Sequence, residues 1–121
     1  MTESSVQEAI ATYMSMICRR YGFLYFSVPN ESGLLGGRTG SPQQFATLAR
    51  LKKMGLTPGV SDLVLGHQGR MYALEVKTGK GVQSENQKRF EAWCAECGIP
   101  YAIVRGVDDV TQKLKEWGIV P

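Results

Sequence analysis

Apolar residues recur at helical spacing from residue 4 to residue 20, where Val6, Ile10, Tyr13, Met14 and Ile17 trace one stripe. At about 100° per residue, Glu3 extends that stripe one turn ahead of Val6, and Glu8 falls on the far side. Glu8 also closes the pattern Ser5-x-x-Glu8, a capping box that gives it a structural use. Glu3 either points inward or frays with the chain end. Phe23 to Val28 is a compact apolar run that reads as a buried strand. Ser41-Pro42 opens a second helix, with Ser as cap and Pro in the first turn. Phe45, Leu48 and Ala49 give it an inner face, Arg50, Lys52 and Lys53 crowd its last turn, and Gly55 ends it.

Between Gly59 and Lys80 the period shortens to two. Leu63-Val64-Leu65 and Met71 to Val76 are apolar runs, with Gln68-Gly69 between them as a two-residue hairpin loop. That turn sets a register in which His67 faces Arg70, Leu65 faces Tyr72 and Asp62 faces Glu75. Facing residues hold their Cβ atoms roughly 4.5–5.5 Å apart. Tyr72, Leu74 and Val76 share one face of the second strand, and Glu75 and Lys77 share the other. Two carboxylates so placed repel each other unless a cation lies between them, and oxygen ligands suit Mg²⁺ or Mn²⁺. The same alternation fits a half-exposed strand on which Glu75 and Lys77 pair at the surface, and one bulge would part Asp62 from Glu75.

A third helix is expected from Ser84 to Cys97, stopped by Gly98, with Phe90, Cys94 and Cys97 on its apolar stripe. Gln87 lies on that stripe too, one turn ahead of Phe90. Ser84-x-x-Gln87 is also a capping box, so Gln87 has two readings. Tyr101 to Val104 reads as a fourth strand. A last helix starts near Asp108 as N-cap and turns Val110, Leu114 and Trp117 inward. Strands interleaved with helices predict an α/β fold: a mixed sheet of about four strands flanked by helices on both faces, as one domain over residues 1–121.

Composition narrows the function classes. The chain has 121 residues, a net charge of +3 and a pI near 8.8, which permits a polyanionic partner. No apolar run approaches the roughly 20 residues that cross a bilayer, and the polar start lacks a basic leader, so an intracellular protein is expected. Cys18, Cys94 and Cys97 are an odd set that fits free thiols. Cys94-x-x-Cys97 falls late in a helix with no second pair to complete a zinc site, which favours packing over chemistry. Residues 29–42 form a Gly- and Pro-rich stretch with no Gly-Lys-Ser/Thr, so they are no P-loop; Asn30 and Arg38 there suit a sugar-phosphate backbone or a plain surface loop.

Asp62 followed by Glu75-Val76-Lys77 resembles the signature of the PD-(D/E)XK nucleases. More narrowly the chain is similar to the virus-type replication-repair nuclease (VRR-NUC) domains. Nearly the whole chain carries the resemblance: Glu3-x-x-x-Gln7, Val28-Pro29-Asn30-Glu31, the stretch Leu51 to Asp62 with its Pro58-Gly59-Val60-Ser61-Asp62, Glu75-x-Lys77, and Ser84-x-x-Gln87. Ser61 stands where the family pattern has proline, a position that shapes the backbone rather than binding metal. The resemblance implies a restriction-endonuclease-like core and a metal-dependent DNA endonuclease. It implies dimers that nick branched DNA such as Holliday junctions. By position, Asp62, Glu75, the Val76 carbonyl and Glu3 would bind Mg²⁺ or Mn²⁺. Lys77 would orient the attacking water, and Gln87 would support the site. Asn30, Arg38, Lys53 and Lys80 are the candidate DNA contacts.

Phosphodiester hydrolysis needs an activated water, neutralised charge at phosphorus and a stabilised leaving oxygen, and a carboxylate-held divalent ion supplies all three. The rival readings are a non-catalytic DNA-binding module of the same fold, a nucleotide-binding α/β domain and an accessory interaction protein. The first predicts loss of Asp62, Glu75 or Lys77, and the second a phosphate-binding glycine motif; neither is found.

Overall fold

Thr2 starts the first helix. Its hydroxyl accepts the Ser5 amide at 3.0 Å, and Ser5 Oγ accepts the Thr2 amide at 3.1 Å. The capping box is therefore Thr2/Ser5 and not Ser5/Glu8, because beginning earlier satisfies more of the orphan amides of the first turn. Helix α1 runs Glu3–Tyr21 and puts Glu3 at the first helical position. In this computed structural model, residues 1–29 and 41–121 are described.

Strands β1 (Phe23–Ser27), β2 (Leu63–His67), β3 (Arg70–Val76) and β4 (Tyr101–Val104) form one sheet in that spatial order. β1 and β2 are antiparallel, as are β2 and β3, while β3 and β4 are parallel. The remaining helices are α2 (Pro42–Lys53), α3 (Glu85–Glu96) and α4 (Val107–Glu116). Helices α1 and α4 cover one sheet face. Val6, Ile10 and Met14 from α1 and Val110 and Leu114 from α4 close over Leu63, Leu65, Leu74, Val76 and Val104. Trp117 stacks on Tyr72 with ring centroids 5.0 Å apart. Helix α3 lies against the other face, where Cys94 is buried and Phe90 meets Tyr101 edge-on. The α/β expectation with helices on both faces holds.

Several local expectations need correction. β1 is an edge strand and not a buried one. Its Phe23 and Tyr25 side meets α1, but Leu24 and Phe26 are 59% and 51% exposed. Helix α2 is capped by Ser41 as expected, yet none of its residues is buried and Phe45 is exposed. Cys97 is exposed at the end of α3 instead of packing on its stripe. Helix α4 is entered through Gly106, not Asp108. No side chain caps it, and Asp109 accepts the Arg105 amide at 2.8 Å instead.

Candidate active site

The hairpin loop has positive φ at both central residues, Gln68 (49°) and Gly69 (77°). Two consecutive left-handed residues make the twist that two-residue hairpins need. The ladder then runs His67↔Arg70 through Leu65↔Tyr72 to Leu63↔Leu74, with no bulge. One step further, Asp62 meets Glu75 as the sequence register requires. Asp62 Oδ2 accepts the Val76 amide at 2.7 Å, and its own carbonyl accepts the Val28 amide at 2.9 Å. Ser61, where the family pattern has proline, is fully buried and donates its hydroxyl to the Leu63 carbonyl at 3.1 Å. That bond shapes the chain just ahead of Asp62.

Glu75 is only 1% exposed. Its Oε2 accepts from Gln87 Nε2 at 3.0 Å, while Oε1 is buried with no donor among the described residues. Burial, then contact with the Asp62 carboxyl, pushes the Glu75 pKa up from 4.5 to about 9; Lys77 opposes this and Glu3 adds to it. The raised pKa favours the neutral form of Glu75 beside Asp62 in the metal-free fold. Lys77 is 8% exposed at the end of β3, and its amide donates to Val104 at 3.0 Å. Surface pairing of Glu75 with Lys77 is excluded by the burial of both.

Gln87 serves both of its readings. Its Oε1 accepts the Ser84 amide at 2.8 Å, completing the cap of α3, and its Nε2 reaches Glu75. These groups border a cavity of about 280 Å³, with Glu3, Pro29, Thr57, Gly59 and Asn86 also in its wall. Gly59 (φ 82°) packs against the backbone of Asn86 and Gln87 so closely that any Cβ would overlap it. The Pro58-Gly59 pair marks a turn in the sequence, but nothing local says that α3 lands on it.

The donor set is all oxygen. Among the described residues no three acidic, histidine or cysteine side chains draw together as a cage. Asp62 and Glu75 are the close pair, and Glu3 sits at the cavity wall from the start of α1. The orphaned Glu75 oxygen beside a second carboxyl fits a hard divalent ion that keeps several waters. Lys53 ends α2 and Lys80 lies in the turn after β3. Both are exposed and neither borders the cavity. Asn30 and Arg38 lie outside the described residues.

A solved structure described as a VRR_NUC domain protein matches with a TM-score of 0.70 over 99% of this chain and 91% of its own, at 18% identity. The chain has the VRR_NUC fold. No family model and no curated protein matches the sequence. In this chain the hairpin places Asp62 and Glu75, and α3 places Gln87, at the cavity wall, while Lys77 follows β3 and does not line the cavity. No helix among the described residues is long and apolar enough to cross a membrane.

Proposed function

We propose that this protein is a metal-dependent DNA endonuclease acting on branched DNA. The observation that supports it most is the buried Glu75 beside the half-buried Asp62, with one Glu75 oxygen lacking a donor among the described residues and Lys77 two residues further on. Asp62 and Glu75 would hold Mg²⁺ or Mn²⁺, with the Val76 carbonyl and, at the cavity wall, Glu3. The ion would neutralise phosphate charge and activate water. Gln87 fixes the Glu75 carboxylate through one oxygen. Lys77, shielded from solvent, orients the attacking water through its ammonium. Arg50, Lys52 and Lys53 at the end of α2, with Lys80, Lys88 and Arg89, are exposed cations that would meet phosphates.

A homodimer fits the apolar surface left open. Leu24, Phe26, Phe45, Met54 and Trp93 are each more than half exposed. A dimer would cover such side chains where they adjoin, and two active sites suit paired cuts on a symmetric junction.

The test is cleavage of four-way junctions, flaps and linear duplex by purified protein with Mg²⁺, Mn²⁺ or EDTA. Nicking of the branched substrates that needs metal and vanishes in Asp62→Ala is expected. Cleavage that survives Asp62→Ala places the chemistry elsewhere, and binding without cleavage favours the non-catalytic DNA-binding module.

A further inference from the structure

Outside the acidic pair, one side chain ties together two parts of the chain distant in sequence. Arg105 follows β4 and donates from Nη1 to the Gly79 carbonyl at 2.8 Å and from Nη2 to the Gly81 carbonyl at 3.1 Å. Its own amide is held by Asp109 at 2.8 Å, so the base of the side chain is fixed on the first turn of α4. The parallel register pairs Glu75 with Ile103 and Val76 with Val104. Continued by one residue, it sets Lys77 beside Arg105.

The turn that Arg105 grips closes on itself, with the Gly81 amide donating to the Thr78 carbonyl at 2.8 Å. It folds back on Lys77: a Cβ built at Gly81 would touch Lys77 Cδ at 3.7 Å and Cβ at 3.9 Å. This fits a lysine that is 8% exposed and that forms no ion pair with a carboxylate among the described residues. Further along, Gln83 Nε2 donates to Glu91 and to the Tyr101 hydroxyl, each at 3.1 Å, which pins the far end of the same connection. Glycine-rich turns have little rigidity of their own. A planar guanidinium bridging two carbonyls gives this one a fixed shape, which an ammonium on a flexible stem does not reproduce.

We propose that Arg105 is a positioning residue: by bridging Gly79 and Gly81 it holds the turn down over the stem of Lys77 and sets where the Lys77 ammonium stands relative to Asp62 and Glu75. What Lys77 does there rests on the nuclease reading; what Arg105 holds does not.

Amide hydrogen exchange and steady-state cleavage, measured on wild type, Arg105→Ala and Arg105→Lys, test the two parts. In Arg105→Ala the Gly81 amide is expected to exchange at least about tenfold faster, with the Leu74 amide in β3 unchanged. The cleavage kcat is expected to fall about tenfold with KM for DNA unchanged. Arg105→Lys is expected to stay close to Arg105→Ala in both readouts, because a single ammonium cannot reproduce the bridge. Should Arg105→Ala fail to fold, Arg105→Gln takes its place with the same expectations. Unchanged Gly81 exchange overturns the brace, as does faster exchange at Gly81 and Leu74 alike. A raised KM with unchanged kcat makes Arg105 a phosphate contact instead, and full rescue by lysine makes charge, not the bridge, the operative property. The exchange measurement decides the brace even if wild type cuts no DNA, so loss of the nuclease reading and loss of this one are separable.

Discussion

Replacing Glu75 with glutamine imitates the protonated acid while keeping its partners. The new amide oxygen still accepts from Gln87, and the new NH₂ takes the place of the unpartnered Glu75 oxygen beside Asp62. In wild type the folded-state pKa is raised from 4.5 to about 9. The stability it contributes is complete below pH 4.5 and is lost as pH rises through about 9. Between those values the unfolded chain releases a proton that the fold retains, which costs up to about 1.4 kcal/mol per pH unit. At pH 7.5, three units above the ordinary value, wild type is therefore weakened by up to about 4 kcal/mol, and Glu75→Gln recovers that amount. Urea unfolding in EDTA at half-unit steps from pH 4 to 9 is the assay. The two proteins should converge at the acid end and separate steadily above it, with the variant nearly flat. Parallel curves would refute the raised Glu75 pKa and mean that Glu75 is ionised in the metal-free fold. Adding Mg²⁺ at 100 times its Kd should raise wild-type stability by about 2.7 kcal/mol and leave Glu75→Gln unmoved.

Other perturbations read other parts of the site. Gln87→Ala removes the acceptor of the Ser84 amide and the donor to Glu75; a loss of about 1–2 kcal/mol in chemical denaturation is expected, with a lower kcat. Gly59→Ala meets both a positive φ and the Asn86 backbone, so it should cost at least about 2 kcal/mol and slow cleavage by moving Gln87. Lys77→Met keeps the buried stem and removes the ammonium. Cleavage should fall by about 100-fold or more while the thermal midpoint stays within a few degrees. Gln68→Asn suits the left-handed turn position and should add about 0.5 kcal/mol to unfolding stability.

The hairpin was readable in advance because its information is local. A two-residue loop and strict alternation leave only one pairing, and Asp62 opposite Glu75 follows from counting. Gln87 was readable as a polar residue on an apolar stripe. The exposure of β1 and α2 was not, because an apolar run says nothing about whether a partner element lies beside it. Nor was Arg105. Its target carbonyls lie more than twenty residues earlier in the chain, and backbone acceptors leave no mark on composition. Gly59 announced a turn, but its contact with Asn86 depends on how α3 docks.

The carboxylate pair is built inside one hairpin, whereas the arginine over the lysine arrives from a parallel crossover. Antiparallel neighbours joined by two residues meet within microseconds; a parallel pair must wait until an intervening helix has docked. During folding the two acids are thus expected to come together before the clasp closes. That order predicts a stage in which acidic groups stand ready for a cation while the amine still swings free. An ion captured then would favour the forward direction, so divalent metal should speed folding itself as well as hold the finished molecule.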